Sequence, residues 1–197
     1  YFEGNGVESN SDLAFQYFNS SAEAGDPEGL IGLGMCYSNG HGCEKDEFKA
    51  SQLFEEAADL GAPQGQFNVA WHYHYGIGVN EDLDKAFKYY ALAAEQGHAG
   101  GIRGLGEMYE GGTTEIEVDL DLAVGHYLKA AELGDFVAEY NLGVFYQYGT
   151  GVTPDQEKSA QYLERAANKG HTSAALNLGL LNQAGINGKQ DFKKAMY

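Results

Sequence analysis

A repeat of about 36 residues runs through the chain and constrains its fold more than any other feature. Small residues followed by a glycine recur five times, and successive glycines are 36, 36, 37 and 36 residues apart: Gly25, Gly61, Gly97, Gly134 and Gly170. A second series keeps the same period: Leu33-Gly34, Val69-Ala70, Leu105-Gly106, Leu142-Gly143 and Leu178-Gly179. Recurrence at this spacing indicates repeats that stack on one another.

The clearest copy predicts two helices in each repeat. The first runs from about Pro63 to His74, where small and apolar residues recur at the spacing of one helical face. The glycine-rich turn 76–79 interrupts the helix, because glycine tolerates a positive φ. The second helix runs from about Leu83 to Glu95 and stops at Gly97. One such pair cannot bury its apolar face alone, so we predict an all-α superhelical solenoid of antiparallel helix pairs.

Tyrosine recurs three residues after the glycine or alanine of the second series in four repeats: Tyr37, Tyr73, Tyr109 and Tyr146. An aromatic side chain at the same place in stacked repeats favours packing between them. We therefore predict that these four rings form a ladder in the core.

These markers resemble the Sel-1-like repeats, relatives of the tetratricopeptide repeats. The family pattern is A-x3-L-G-x2-Y-x2-G-x-G-V, then an acidic residue, K-A, an aromatic and A-A-x2-G. Residues 138–152 match its first part and residues 76–97 its second. The resemblance covers essentially the whole chain and implies a right-handed superhelical solenoid. It implies one array over 1–197, with partial units at 1–26 and 172–197 and full units at about 27–62, 63–98, 99–135 and 136–171. Because both ends fall inside a unit, we expect a longer natural chain.

Charge excludes several classes of partner. The chain has 12 Lys and Arg against 29 Asp and Glu, a net charge of −17. This balance argues against binding nucleic acid, which relies on basic residues, and against docking on anionic membranes. No run of about 18 apolar residues predicts a transmembrane helix. The composition is compatible with a soluble segment in either an extracytoplasmic (secreted, periplasmic or ER-luminal) or a cytosolic location.

The candidate reactive groups are better explained by the repeat. His72 and His74 are two residues apart on one helix and point in different directions, with no third metal ligand nearby. The glycine-rich turns lack the preceding strand of a phosphate-binding loop. The acidic run 115–121 lacks the glycine and glutamate of a calcium loop, which leaves weak cation binding as the alternative there. We expect Cys36 and Cys43 to be reduced thiols. We predict no catalytic residue, no metal and no cofactor.

The resemblance implies that the first helices build a concave binding groove. Its register predicts these partner-binding residues: Ile31, Met35, Phe67, Trp71, His74, Arg103, Glu107, Tyr140, Val144, Leu176 and Leu180. Aromatic residues and arginine are frequent in binding hot spots, which favours Phe67, Trp71 and Arg103. The alternative is that Phe67 and Trp71 simply pack against the neighbouring repeat.

The resulting prediction is a non-enzymatic scaffold or adaptor that binds a peptide or protein partner in the concave groove. Such a groove suits an extended peptide or a partner helix. Two alternatives remain. One is an inhibitory or immunity-type protein whose acidic surface covers a basic partner. The other is a small-ligand binder or hydrolase, although no connected nucleophile, base and orienting group is recognisable.

Overall fold

The computed structural model describes residues 10–184, which form ten α-helices and no β-strand. In chain order the helices are α1 (Ser11–Glu23), α2 (Pro27–Asn39), α3 (Glu47–Asp59), α4 (Pro63–Tyr75), α5 (Leu83–Glu95), α6 (Ala99–Gly111), α7 (Leu120–Glu132), α8 (Phe136–Tyr148), α9 (Gln156–Asn168) and α10 (Thr172–Ala184). Two compact units divide the chain, Tyr1–Gly101 (unit 1) and Ile102–Tyr197 (unit 2). Among the described helices, none is long and apolar enough to cross a bilayer.

The helix ends follow from local sequence. The second helix of four repeats starts after an aspartate that accepts a hydrogen bond from the backbone N–H three residues later, at 2.9 to 3.0 Å; these are Asp46, Asp82, Asp119 and Asp155. Helix α4 starts with Pro63 in its first turn, where the missing N–H costs nothing. It ends at Gly76, whose left-handed backbone has a φ of 64°. The bounds predicted for α4 and α5 are therefore confirmed to within one residue.

Sequential helices pack on each other within each unit. In unit 1, α1 to α5 form such a stack, and α2 also touches α4; in unit 2, α7 to α10 do the same. The glycine of the Leu-Gly marker permits this packing. A Cβ atom on Gly143 of α8 would lie 2.7 Å from Leu163 Cγ on α9, closer than real Cβ contacts. The small residues of the second marker series therefore lie where the two helices of a pair approach each other closely.

The core ladder lies one residue before the predicted tyrosines. Tyr73 is buried, but Tyr37, Tyr109 and Tyr146 are only half-buried, so the prediction of a four-tyrosine core is wrong for these three. The preceding residue is at most 6% exposed in every described repeat: Cys36, His72, Met108, Phe145 and Leu181. Neighbouring residues on a helix are about 100° apart, so the two series cannot share one face.

The tyrosines instead pack across the second helix of their own repeat. The Tyr73 ring is stacked on Tyr89 of α5 at a centroid distance of 6.3 Å, and Lys85 Nζ lies 4.6 Å from its centroid. Tyr146 is stacked in the same way on Tyr162 of α9, at 5.8 Å. The recurring tyrosine thus ties the two helices of each pair near the surface.

Candidate functional site

A mainly apolar groove of about 240 Å³ lies between helices α2 and α4 of unit 1. We call it the α2–α4 groove. Its lining residues are Met35, Ser38 and Asn39 of α2, Phe54 of α3, and Gln64, Phe67, Asn68, Trp71 and His72 of α4. This volume is below the roughly 300–1,000 Å³ of small-molecule pockets. The groove is therefore of a size for one large side chain of a partner.

One wall of the groove includes Phe67 and Trp71 of α4, and Tyr75 continues this aromatic stripe outside the groove's lining. Phe67, Trp71 and Tyr75 are spaced four residues apart, which places them on one helical face. Trp71 is 38% exposed and Tyr75 is 51% exposed, and their ring centroids are 5.3 Å apart. The sequence analysis found Phe67 and Trp71 but missed Tyr75. Its spacing from Trp71 was the signal that could have identified it.

The floor of the groove carries a buried polar group, His72. Its side chain is 2% exposed, and its ring meets Phe54 edge-on at a centroid distance of 5.1 Å. Its Nδ1 atom has no hydrogen-bond partner among the described residues. Burial lowers the pKa of His72, against the opposing influence of the Glu47 carboxylate and the Ile77 backbone, so the ring is neutral near pH 7. Unsatisfied buried polar atoms are costly, so a hydrogen bond to this nitrogen would be stabilising.

Two amide side chains stand on opposite rims. Gln64 Nε2 donates to Asn68 Oδ1 at 2.8 Å, and Asn39 Nδ2 donates to the Met35 carbonyl at 2.8 Å. The other half of each amide, the Asn68 NH₂ group and the Asn39 Oδ1 atom, makes no hydrogen bond to the described residues. One rim offers a donor and the other an acceptor, which is the complement of a peptide backbone.

The first residue of three predicted pairs packs within its own repeat. Ile31 is 4% exposed and packs with Leu30 and Ala57 in the core, so it does not face a groove as predicted. Phe67 stacks on His98, the residue before α6, at 5.0 Å. Tyr140 stacks in the same way on His171, the residue before α10, at 4.4 Å. Phe67 therefore packs on the last residue of its own repeat and also lines the groove, and its role in binding a partner stays a prediction.

Arg103 and Glu107 are engaged inside the protein. Their side chains are only 12% and 18% exposed, and the two form an ion pair. Arg103 Nε also lies 3.3 Å from Asp135 Oδ2, in the same register as the Phe67–His98 stack. The two side chains are thus engaged with each other and with the last residue of their own repeat. Both residues belong to α6 and are not among the groove's lining residues.

The remaining predicted positions are more exposed. Met35 is 43% exposed in the α2–α4 groove, whereas Leu176 and Leu180 are exposed on α10 of unit 2 and Val144 of α8 is half-buried. His74 is half-buried; its Nδ1 is 3.4 Å from the Tyr90 hydroxyl, and its ring stacks on Tyr75 at 4.4 Å. Of the predicted set, only Met35, Phe67 and Trp71 come together in the groove.

The other candidate groups have structural surroundings. Cys36 is buried and Cys43 is half-buried, both as free thiols, and burial raises the pKa of each. In the acidic run 115–121, Asp119 caps the start of α7. Within residues 10–184, no three His, Cys, Asp or Glu side chains are grouped to hold a metal ion.

Comparisons with known proteins agree with this architecture. The family model described as Sel1 repeat matches residues 1–26, 27–61, 63–98, 100–135, 137–171 and 172–197. A Sel1 repeat protein from Oxalobacter formigenes is 31% identical with a TM-score of 0.86, over 99% of this chain and 80% of that chain. A protective antigen with an SLR fold, present in uropathogenic Escherichia coli strains, is 31% identical with a TM-score of 0.74, over 99% of this chain and 42% of that chain.

A third solved structure, Helicobacter pylori cysteine rich protein B, is 29% identical with a TM-score of 0.51, over 66% of this chain and 92% of that chain. The comparison with curated proteins gave no match. Together with the helices described above, the matches confirm the predicted fold class, an all-α solenoid of repeats.

Proposed function

Because the chain belongs to the Sel1 repeat family, whose members generally mediate protein–protein interactions, we propose that it is a non-enzymatic scaffold that binds a peptide segment of a partner protein in the α2–α4 groove. The family is typically non-catalytic, which supports the first part of this proposal. The position of the groove on two first helices, α2 and α4, supports the second.

One observation carries the proposal: an exposed tryptophan and an unpartnered buried histidine line the same groove. Trp71 leaves 38% of its surface in solvent, although tryptophan is usually well buried. His72 Nδ1 lacks a hydrogen-bond partner at the floor beneath it. Tryptophan is enriched at the energetic centres of interfaces. A partner side chain that enters the groove would cover the first group and satisfy the second.

The groove also indicates how the peptide is held. An anchor side chain with an apolar body and a hydrogen-bonding tip, such as tyrosine, packs between Met35 and Trp71 and reaches His72. The flanking backbone bonds to the Asn68 amide donor and the Asn39 acceptor on the two rims. Affinity then comes from one buried anchor, while the backbone contacts fix the direction of the chain.

The test is selection of a random phage-displayed peptide library on the immobilised chain, followed by anisotropy titration of the enriched synthetic peptides. We expect Trp71→Ala to weaken these peptides at least about tenfold, because a central aromatic anchor contact contributes about 2 kcal/mol or more. The melting temperature should change little, since Trp71 is already partly in solvent. Phe48→Ala is the matched control, because Phe48 is 58% exposed on α3 and lies outside the α2–α4 groove.

Two outcomes would count against the proposal. If the enriched peptides bind Trp71→Ala and Phe48→Ala as tightly as the original chain, the binding surface lies elsewhere. If Trp71→Ala unfolds unit 1 while Phe48→Ala does not, the indole is a structural contact between repeats.

A further inference from the structure

We infer that the peptide segment recognised in the α2–α4 groove is cationic, with a lysine or arginine beside the anchor lying on the exposed rings of Trp71 and Tyr75. This inference rests on the proposed function, because it describes the chemistry of the same occupant. It follows from the distribution of charge around the groove, from the engagement of the local lysines, and from the geometry of the two rings.

The groove lies in the more acidic part of the chain. Residues 1–101 contain 16 Asp and Glu against 4 Lys and no Arg, whereas residues 102–197 contain 13 Asp and Glu against 8 Lys and Arg. None of the described residues that line the groove is Lys or Arg. Unbalanced negative charge around a neutral groove attracts a basic segment and repels an acidic one.

Three of the four lysines of unit 1 have partners away from the groove. Lys45 pairs with Glu47 at 2.8 Å. Lys49 and Lys85 lie over the rings of Tyr37 and Tyr73, with their Nζ atoms 4.2 and 4.6 Å from the ring centroids. The unit therefore already holds two cations on tyrosine rings, and the same chemistry suits a partner's cation on the exposed stripe.

The geometry of the exposed stripe favours such a contact. Trp71 and Tyr75 have centroids 5.3 Å apart and an interplanar angle of 55°, so they form an angled platform at the edge of the groove. A cation within about 6 Å of a ring centroid is attracted to the ring face, most strongly for tryptophan.

A double-mutant cycle tests the inference directly. The probes are library-selected peptides that require Trp71, synthesised with each Lys replaced by norleucine or each Arg by Gln. Tyr75→Leu removes the aromatic face but keeps an apolar side chain. We expect the charge-removing peptide change to weaken binding about fivefold in the original chain and less than about twofold in Tyr75→Leu, since the cation–π contact is then already lost.

The matched control is Tyr148→Leu, because Tyr148 occupies the same place in α8 and is 71% exposed. It should leave the fivefold effect unchanged. A second measurement, the dissociation constant between about 50 mM and about 500 mM NaCl, should show weaker binding at high salt, since screening reduces long-range attraction.

The failure of this inference is distinguishable from failure of the proposed function. Peptides that require Trp71 but are not enriched in Lys or Arg, and bind independently of salt, would overturn the cationic occupant and leave groove binding intact. The absence of any peptide that requires Trp71 would overturn both. Equal effects of the peptide change in the original chain and in Tyr75→Leu would show that the cation does not lie on this platform.

Discussion

Helices α4 of unit 1 and α8 of unit 2 occupy the same place in their repeats, yet they bury different polar groups. Glu139 of α8 stands at the position of Gln66 of α4, and Phe145 of α8 stands at the position of His72. All four side chains are at most 4% exposed. The same repeat geometry therefore accepts a neutral amide or a carboxylate at one position, and an imidazole or a phenyl ring at the other.

At the first of these positions, both helices are tied to the end of the following second helix. In unit 1, Gln96 Nε2 donates to Gln66 Oε1 at 2.9 Å and to the Gly61 carbonyl at 3.0 Å. In unit 2, Lys169 Nζ donates to Glu139 Oε1 at 3.0 Å and to the Gly134 carbonyl at 3.2 Å. Arg165 adds a second ion pair to Glu139 at 2.6 Å. The repeat geometry fixes where the first helix bonds to the end of the second helix. The residue pair at that place determines whether the bond is neutral or charged.

At the second of these positions, the side chain of α8 only packs in the core, whereas that of α4 also lines the groove. Phe145 fills the core of α8 with an apolar ring that makes an edge contact with Tyr127 at 5.5 Å. His72 fills the equivalent place in α4 with a ring whose Nδ1 is left without a partner, next to the exposed Trp71. A polar residue in an otherwise apolar series is costly unless something satisfies it. Among the described first helices, α4 is thus the one whose core ladder includes an imidazole that lines a groove.

The largest expected effect comes from testing which residue of α8 belongs to the core. Phe145→Ala should lower the free energy of unfolding by about 4 kcal/mol, because it deletes a buried ring. Tyr146→Ala should cost about half as much or less, since that ring is half-buried on α9. Urea denaturation followed by far-ultraviolet circular dichroism measures both. A cost for Tyr146→Ala equal to that of Phe145→Ala would restore the tyrosine ladder and contradict the assignment made here.

This comparison shows how far the sequence determined the structure. The repeat markers, Pro63 and the glycine stops predicted α4 and α5 to within one residue, because glycine and proline act locally. The tyrosine ladder was wrong by one residue for a physical reason: periodicity identifies a recurring position but not which of two adjacent faces is buried. His72 could have been found from the residue that precedes each tyrosine, since it is the one ionisable imidazole in an otherwise apolar or sulfur-containing series.

The engagement of Arg103 and Glu107 inside the protein was not predicted, for a different reason. Arg103 matched the register of a groove residue, but its surroundings depend on Asp135, which lies 32 residues away at the end of the same repeat. In two other described repeats that place is held by His98 and His171, and the pairing is aromatic. For Ile31 the equivalent residue is Ala62, which packs against the same apolar cluster. Such contacts depend on which two residues meet, and the periodicity of one helix does not reveal that.

A somewhat smaller effect is expected when the ion pairs of Glu139 in α8 are compared with the neutral hydrogen bond of Gln66 in α4. Replacing both Arg165 and Lys169 by Ala should lower the free energy of unfolding by about 3 kcal/mol, because it leaves the fully buried Glu139 carboxylate without a cation. Gln96→Ala in unit 1 should cost only about 1 kcal/mol, the value of neutral hydrogen bonds. Urea denaturation at neutral pH compares the two.

A rescue variant sharpens this second test. The triple variant Arg165→Ala, Glu139→Gln, Lys169→Gln copies the neutral Gln66–Gln96 contact of α4 into α8. It should recover most of the stability that the Arg165→Ala, Lys169→Ala chain loses. If the Arg165→Ala, Lys169→Ala chain loses less than about 1 kcal/mol, water must reach Glu139, and the two ties are energetically alike despite their different charge.

The smallest expected effect on stability concerns pH and the His72 position. Burial holds the pKa of His72 below its ordinary value of 6.5, so the unfolded chain binds a proton at this site more readily than the folded chain. Stability from the neutral ring is therefore fully present above about pH 6.5 and is lost as the pH falls below that value, by at most about 1.4 kcal/mol per pH unit. His72→Phe, which copies Phe145 into α4, removes this contribution. The free energy of unfolding measured from pH 7.5 to pH 5 should consequently fall less steeply in His72→Phe than in the original chain. Some dependence should remain, because burial also lowers the pKa of His126.

The same variant should weaken a tyrosine-anchored peptide severalfold, since the floor of the groove loses its hydrogen-bonding nitrogen. An unchanged pH profile with unchanged peptide affinity would show that His72 is only a core residue, equivalent to the phenylalanine at its place in α8.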